Sequence, residues 1–235
     1  MFRTLDEDTQ NRLIEYLGEF VTPERYRRLS EVLEMRTRAV TVVLEDLYQP
    51  HNASAVLRSC DGFGIQDVHI IQNRNRFNVS HGVTIGADQW LTLHQYGDAT
   101  HNDTNHTQKC LTRLKDNGYK VVATTPHETD VTIDQLPVSD NLAIVFGAEY
   151  EGLTDTAMQS ADYYARIPMV GFSESFNISV SAALALYEIT RRLRAEREDW
   201  RLSESEKTDL MLQWLKQSIR GSKLLVDKYF EQKSD

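Results

Sequence analysis

The spacing of hydrophobic residues along the chain changes near residue 38. Before that point, Leu13, Ile14 and Leu17 recur with the period of an amphipathic helix. Thr22 followed by Pro23 is typical of a helix start, with a capping hydroxyl before a proline in the first helical position. The pattern predicts that residues 1–38 form a helical N-terminal segment.

Beyond residue 38, short apolar runs alternate with helical patterns. We predict strands over 40–45, 67–72, 90–96, 119–125, 141–147 and 162–169, and helices over 51–64, 107–118, 154–161, 179–197 and 203–230. Asn52 is predicted to cap the first of these helices, and 73–88 to be a polar loop with one short helix. Apolar strands alternating with helices are typical of a parallel sheet covered on both faces. Ligands bind beyond the carboxyl ends of such strands, so the loops there are the candidate functional segments.

Composition narrows the class of protein. The chain has 235 residues, of which 40% are hydrophobic, enough for a sizeable core. No apolar run approaches the length of a membrane span, and the first ten residues lack the apolar segment of a signal peptide. The two cysteines, Cys60 and Cys110, do not have the spacing of metal ligands. These features predict a reduced, cytoplasmic protein that does not enter a membrane.

The charge is unevenly distributed. A net charge of -9 argues against indiscriminate binding to nucleic acid. Residues 23–38 nevertheless carry a net charge of +2, and a second basic cluster lies at 191–197. Both clusters could contact phosphates, or both could be solvated helix faces with Glu–Arg pairs. From charge alone the second interpretation is the more common one.

Several kinds of catalytic site are not supported by the sequence. The chain lacks the glycine pattern of a dinucleotide fold after its first strand, and it lacks a P-loop. It also lacks the Gly-x-Ser-x-Gly turn of a hydrolase. Its seven histidines are scattered without the spacing of metal ligands, so we expect no metal.

Three motifs follow predicted strands. Motif one is NASAVLRSCD (52–61), motif two is IVFGAEYEGL (144–153), and motif three is IPMVGFSESFNIS (167–179). In this order and spacing they resemble the SpoU/TrmH branch of the SPOUT RNA methyltransferases, over about residues 25–201. Within that branch, the basic helix and the stretch RYRRLSEVLEMRTRAVTVVLEDLYQPHN (25–52) are most similar to enzymes that methylate guanosine 18 of tRNA.

The resemblance implies an architecture and an activity. It implies a SPOUT-type parallel α/β sheet with a deep C-terminal trefoil knot, a homodimer, and S-adenosylmethionine as methyl donor. The domains it implies are an RNA-contacting helical extension (1–38), the methyltransferase domain (39–198) and a C-terminal helical extension (199–235). The expected reaction is 2'-O-methylation of a ribose in tRNA. Alternatives are methylation of ribosomal RNA and a non-catalytic RNA-binding protein of the same fold.

The resemblance assigns roles to individual residues. The expected catalytic residues are Asn52, Arg58, Glu149, Ser175 and Asn177. The cofactor pocket is expected to use Thr124, Gly147, Ile167, Gly171 and Phe176, mainly through backbone groups and apolar side chains. The expected RNA contacts are Arg28, Arg36, Arg191 and Arg201.

Other interpretations of these residues stay open. Asn52, Ser175 and Asn177 are also good helix caps. Glu149 is also a possible charge partner for Arg58, and the glycines are also turn residues. Phe176 stands where the family usually has Leu, which changes the shape of the pocket.

Overall fold

The structure is a computed structural model that describes residues 5–98, 105–126 and 131–232. Its strands are β1 (Val40–Glu45), β2 (Asp67–Ile71), β3 (Thr92–Tyr96), β4 (Tyr119–Thr124), β5 (Val131–Thr132), β6 (Asn141–Phe146) and β7 (Tyr163–Arg166). Its α-helices are α1 (Glu7–Gly18), α2 (Pro23–Leu33), α3 (Pro50–Phe63), α4 (His81–Thr84), α5 (Asn105–Asp116), α6 (Asp155–Gln159), α7 (Ile178–Glu196), α8 (Glu204–Ser218) and α9 (Ser222–Glu231). A short 3-10 helix covers Ala87–Trp90.

The chain divides into two compact units. One comprises residues up to 36 together with those from 201 onward, and the other comprises residues 37–200. The residues predicted as separate N- and C-terminal extensions therefore contribute to a single unit.

The larger unit is built on a seven-stranded sheet in the order β3-β2-β1-β6-β4-β7-β5. Every neighbouring pair is parallel, which confirms the predicted parallel α/β fold. The chain first builds outward from β1 to β3 and then returns to the other side of β1. The sheet order thus reverses beside β1, where parallel sheets usually bind their ligands.

Helices cover both faces of this sheet because its central strands are apolar on both sides. In β1, Val42 and Leu44 pack into a cluster with α3 and α7. Val43, between them, packs into a second cluster with α5 and α6. The alternation follows from the two-residue period of a strand and explains why all six residues of β1 are buried.

The smaller unit is helical. Helix α8 packs against α1 and α2, and α9 packs against α1. Leu13, Leu17, Trp214 and Leu215 are buried there at helical spacing, as the sequence pattern predicts. Thr22 caps α2 by accepting a hydrogen bond from the backbone N–H of Arg25 at 3.1 Å, which confirms the predicted helix start.

Two predictions about elements were wrong, and one strand was not predicted. Helix α3 begins at Pro50 with Gln49 as its N-cap, so Asn52 lies inside the helix and does not cap it. The helix predicted over 203–230 is two helices, because Gly221 adopts the left-handed conformation (φ 77°) between α8 and α9. The two-residue edge strand β5 was not predicted. None of the described helices combines the length and apolar character needed to cross a bilayer.

Candidate active site

A cavity of about 680 Å³ opens at the carboxyl edge of the sheet. The loops that follow β1, β4 and β6 line it together with the start of α7. A smaller cavity of about 90 Å³ shares Thr124, Phe146, Ser175 and Phe176 with it. All three sequence motifs therefore reach one site, although they are about 90 and 25 residues apart in the chain.

Asn52 is the centre of a hydrogen-bond network that joins the three motifs. Its amide nitrogen donates to Glu149 Oε1 at 2.8 Å and to Gln49 Oε1 at 3.2 Å. Its amide oxygen accepts from Asn177 Nδ2 at 3.1 Å. Because Asn52 is 7% exposed, these bonds replace the water that its amide has lost. The predicted catalytic residues Glu149 and Asn177 thus both bond to a third, Asn52.

Asn177 performs both of the roles that the sequence left open. Its side-chain oxygen accepts from the backbone N–H of Ser179 at 2.9 Å and caps α7. The same oxygen accepts from the Ser179 hydroxyl at 2.6 Å, while the Asn177 nitrogen donates to Asn52. Capping fixes the orientation of the amide, so the bond to Asn52 is made without a further loss of side-chain freedom.

The buried carboxylate of Glu45 anchors the loop that carries motif two. Glu45, at the end of β1, is 1% exposed. It accepts hydrogen bonds from the Thr154 backbone N–H at 2.9 Å, the Thr154 hydroxyl at 2.8 Å and the Thr107 hydroxyl at 2.5 Å. A buried charge is tolerated only with such partners. The Thr154 hydroxyl also caps α6.

Gly147 is required by a close approach of two backbone segments. A Cβ at this position would lie 2.3 Å from the carbonyl oxygen of Gly152. The neighbouring residues Ala148 and Gly152 exchange two backbone hydrogen bonds, at 3.1 and 2.9 Å, which close the loop that carries Glu149. Any larger residue than glycine at 147 would push this loop apart.

The predicted cofactor residues are distributed as follows. Thr124 and Phe176 line both cavities, Gly147 lines the larger one and Ile167 the smaller one. The Thr124 hydroxyl donates to the carbonyl oxygen of Val145 at 2.7 Å, which ties β4 to β6 beside the site. Gly171 lines neither cavity, and a Cβ there would meet open space within the described chain.

Arg58 does not face the cavity that contains Asn52. It lies two turns further along α3, is exposed, and lines a separate groove of about 580 Å³ between α3 and α7. In the described part of the chain it has neither a hydrogen bond nor an ion pair, and Glu149 bonds to Asn52 instead. Ser175 lines both cavities and is exposed. Sequence reasoning did not foresee the separation of Arg58 from Asn52.

The four predicted RNA-contacting arginines differ in their surroundings. Arg28 is exposed and lies 3.8 Å from Glu31, and Arg201 is also exposed. Arg191 is exposed but pairs with Glu188 at 2.7 Å on the same helix face. Arg36 is 1% exposed, with its guanidinium over the ring of Trp214 at 5.4 Å. The predicted phosphate contact of Arg36 would require the side chain to leave this buried position.

The largest pKa changes occur at the β2–β3 edge and on helix α5 beside it. Burial and the neighbouring His94 lower the pKa of His69 to about 4, and the two rings stack with centroids 4.5 Å apart. Burial raises the pKa of Cys110 to about 12, so this thiol is not a reactive nucleophile. Within the described residues, no group of His, Cys, Asp or Glu has the arrangement of a metal site.

Sequence reasoning missed some residues of the site. Gln49 and Tyr150 line the larger cavity, and Glu45 anchors motif two beneath it. A signal for Glu45 was present, since a carboxylate that ends an apolar β-branched run must find partners in the interior. Nothing in the sequence distinguished Tyr150 from an ordinary surface tyrosine.

A parallel sheet with an amide–carboxylate network at the carboxyl ends of its strands is typical of an α/β protein with its ligand site at that edge. A sequence model of the SpoU rRNA Methylase family matches residues 39–187, so the chain belongs to this family. It is therefore an RNA methyltransferase, and its methyl donor is S-adenosylmethionine, as the resemblance implied.

Individual relatives resemble nearly the whole chain. A Borreliella burgdorferi protein named tRNA (guanosine(18)-2'-O)-methyltransferase is 37% identical over 92% of this chain and 95% of its own length. An Escherichia coli K12 protein of the same name is 30% identical over 82% of each chain. Among solved structures, the A. aeolicus TrmH/SpoU tRNA modifying enzyme has a TM-score of 0.72 and 27% identity, covering 84% of this chain and 98% of its own.

Proposed function

We propose that this protein transfers a methyl group from S-adenosylmethionine to the ribose 2'-hydroxyl of guanosine 18 in tRNA. The observation that carries the proposal is the convergence of three motifs on one hydrogen-bonded site, Glu149–Asn52–Asn177. Support for the substrate comes from the relatives named for guanosine 18, one of which matches 92% of the chain.

The residues at the cavity fit the methyl donor. Phe146, Ile167 and Phe176 offer an apolar wall, and Gly147 lines the larger cavity without a side chain. The donor supplies a methyl group that its positively charged sulfur has already activated. The protein must therefore orient the ribose hydroxyl, help to remove its proton and exclude water.

Arg58 cannot remove that proton, because a guanidinium is always protonated in proteins. Its role in this proposal is to hold the hydroxyl and an adjacent phosphate together, and the phosphate or another partner accepts the proton. Ser175, at the mouth of both cavities, positions the substrate. Asn52 and Glu149 fix the position of Asn177 and of the motif-two loop through their shared network.

The test uses labelled S-adenosylmethionine and a tRNA transcript. We expect label on the unmodified transcript and none on the same transcript with adenosine in place of guanosine 18. Equal label on the two transcripts would refute methylation at guanosine 18. Label on ribosomal RNA but not on tRNA would favour the rRNA alternative, and no label on either would favour a binding protein.

A homodimer with a shared active site explains the placement of Arg58. Val180, Leu184 and Tyr187 form an apolar stripe on α7 at helical spacing and are 42–56% exposed. Val180 and Leu184 line the same groove as Arg58. A second copy packed on this stripe would cover the apolar side chains and bring Arg58 of one protomer toward the Asn52 cavity of its partner.

The shared site is tested by mixing two variants that each have reduced activity. Asn52→Ala and Arg58→Ala are unfolded together, refolded, and assayed against each variant alone. If Arg58 serves the partner's cavity, each mixed dimer has one intact site, and random pairing restores about a quarter of wild-type activity. If Arg58 serves its own cavity, every site carries a lesion and no activity returns. Leu184→Asp should also shift the sedimentation of the protein toward the monomer.

The remaining features of the proposal follow family membership. They are a deep trefoil knot formed by the C-terminal part of the 39–198 domain, and helical extensions at 1–38 and 199–235 that grip tRNA. Arg28 and Arg201 are exposed, and in this proposal both contact phosphates, as does Arg191 once it is released from Glu188. In this proposal Gly171 contacts the cofactor because of its place in the knot. It lines neither of the two cavities of the single chain. A tRNA-modifying role is consistent with a cytoplasmic location.

A further inference from the structure

Tyr150 is an aromatic residue at the rim of the cavity that no part of the mechanism uses. It is 92% exposed and lines the larger cavity together with Asn52 and Glu149. Across the described residues, nothing hydrogen-bonds its hydroxyl or stacks on its ring. The chain thus presents a large aromatic side chain to solvent directly beside the residues that handle the ribose.

The loop that carries Tyr150 is held rigidly. The two backbone hydrogen bonds between Ala148 and Gly152 close it, and Gly152 turns it with a φ of 70°. Two residues further along, Thr154 is anchored to the buried carboxylate of Glu45. The backbone that presents the ring is therefore preorganised, so binding through the ring costs little ordering entropy.

The charge next to Tyr150 is balanced by a second fixed loop. Glu151 forms an ion pair with Arg74. The turn that carries Arg74 is held by Asp46, whose carboxylate accepts from the backbone N–H groups of Asn73 at 2.7 Å and Arg74 at 2.8 Å. The charge of Glu151 is thus balanced by Arg74, which lowers the repulsion that a phosphodiester meets when it approaches the ring.

We propose that Tyr150 is the stacking platform for the base of the nucleotide that is methylated. This inference rests on the proposed function and extends it to substrate positioning. The base and the 2'-hydroxyl are attached to adjacent carbons of the ribose, and Tyr150 and Glu149 are adjacent in the chain. RNA-binding proteins hold unstacked bases on aromatic side chains, and any base offers a face for such stacking. Tyr150 therefore positions the nucleotide and does not choose guanine over adenine.

The experiment compares Tyr150→Leu, Tyr150→Phe and wild type. Stacking on one aromatic ring predicts a roughly 5- to 150-fold fall of kcat/KM for tRNA in Tyr150→Leu, with S-adenosylmethionine affinity unchanged. Tyr150→Phe keeps the ring and should retain most of the activity. Tyr48→Leu is the matched control, because Tyr48 is 70% exposed and is not among the described residues that line the cavity.

A transcript with an abasic ribose at the target position separates stacking from other effects. Because specificity for guanosine 18 predicts no methylation of this transcript, the comparison measures binding. Tyr150→Leu should bind intact tRNA more weakly than wild type does, and both should bind the abasic transcript with equal affinity, because neither can stack on a missing base. The same loss in Tyr150→Leu on the abasic transcript, wild-type activity of Tyr150→Leu on intact tRNA, or an equal loss in Tyr48→Leu would each overturn the inference. A wild-type protein that labels no tRNA would refute the proposed function instead, so the two failures are distinguishable.

Discussion

Substitution of Asn52 tests whether its hydrogen-bond network organises catalysis. Asn52→Ala removes the amide that donates to Glu149 at 2.8 Å and accepts from Asn177 at 3.1 Å. Asn52→Asp keeps the size of the side chain but replaces the donor with a second carboxylate facing Glu149. The two variants therefore remove the same contact, and only one of them adds repulsion.

The lost hydrogen bond to Glu149 sets the size of the expected fall in kcat/KM. A hydrogen bond to a charged group contributes about 1.5–3 kcal/mol, which corresponds to a roughly 13- to 160-fold loss of kcat/KM in Asn52→Ala. Glu149 is half-buried, so water replaces part of the lost bond and the lower part of that range applies. Two carboxylate oxygens at 2.8 Å repel by about 6 kcal/mol at an effective dielectric constant of about 20. Asn52→Asp should therefore be the slower variant until its carboxyl pair binds a proton.

The assay is the initial rate of methyl transfer to tRNA from pH 6 to pH 9 (roughly the range in which a raised carboxyl titrates). We expect wild type to exceed Asn52→Ala, and Asn52→Ala to exceed Asn52→Asp at high pH, with the gap between the variants narrowing as the pH falls. Cofactor affinity and thermal unfolding of each variant control for loss of structure. An Asn52→Asp variant at least as active as Asn52→Ala at high pH would refute the role of the network.

Three further predictions concern the cofactor loop, stability and RNA binding. Gly147→Ala should cost about 1–3 kcal/mol of stability, because its Cβ would lie 2.3 Å from the Gly152 carbonyl oxygen. The same variant should bind S-adenosylmethionine more weakly in equilibrium dialysis. Unchanged binding and stability would contradict the close approach. The pKa of His69 is lowered to about 4 in the folded protein from an ordinary value of 6.5, so the unfolded chain binds the extra proton between these values and stability falls as the pH drops through that window. Urea denaturation measures the difference in the free energy of unfolding between pH 7 and pH 5. His69→Phe should reduce this difference by about 2 kcal/mol, and an unchanged difference would refute the role of His69. Arg28→Ala should weaken tRNA binding and reduce its salt slope by about 1, without altering cofactor affinity; an identical slope would exclude a phosphate contact at Arg28.

The parallel sheet and its loops were predictable because they depend on local patterns. The apolar run of β1 and the capping pair at Thr22 and Pro23 needed only neighbouring residues. The start of α3 was not predicted correctly, because two nearby residues, Asn52 and Pro50, both favour helix starts. Pro50 occupies the first helical position, and Asn52 lies inside the helix. The break at Gly221 was visible as a glycine within a helical pattern, but the apolar stripe continued across it.

The composition of the site could be predicted from its motifs, but its connections could not. Asn52 and Asn177 are 125 residues apart, and their contact depends on the sheet order and the position of α7. The separation of Arg58 from Asn52 depends on the helical rotation between two residues of one motif, which directs them to different surfaces of α3. The burial of Arg36 depends on Trp214, which is far away in sequence and offers a ring for its guanidinium.

The central claim is methylation of one ribose in tRNA. Its most direct test is mass spectrometric mapping of nuclease fragments from an unmodified tRNA transcript after incubation with the protein and S-adenosylmethionine. The account predicts one added methyl group on the ribose of guanosine 18, with the following phosphodiester bond resistant to alkali. A methyl group on a base, on another nucleotide, or on no nucleotide would contradict it.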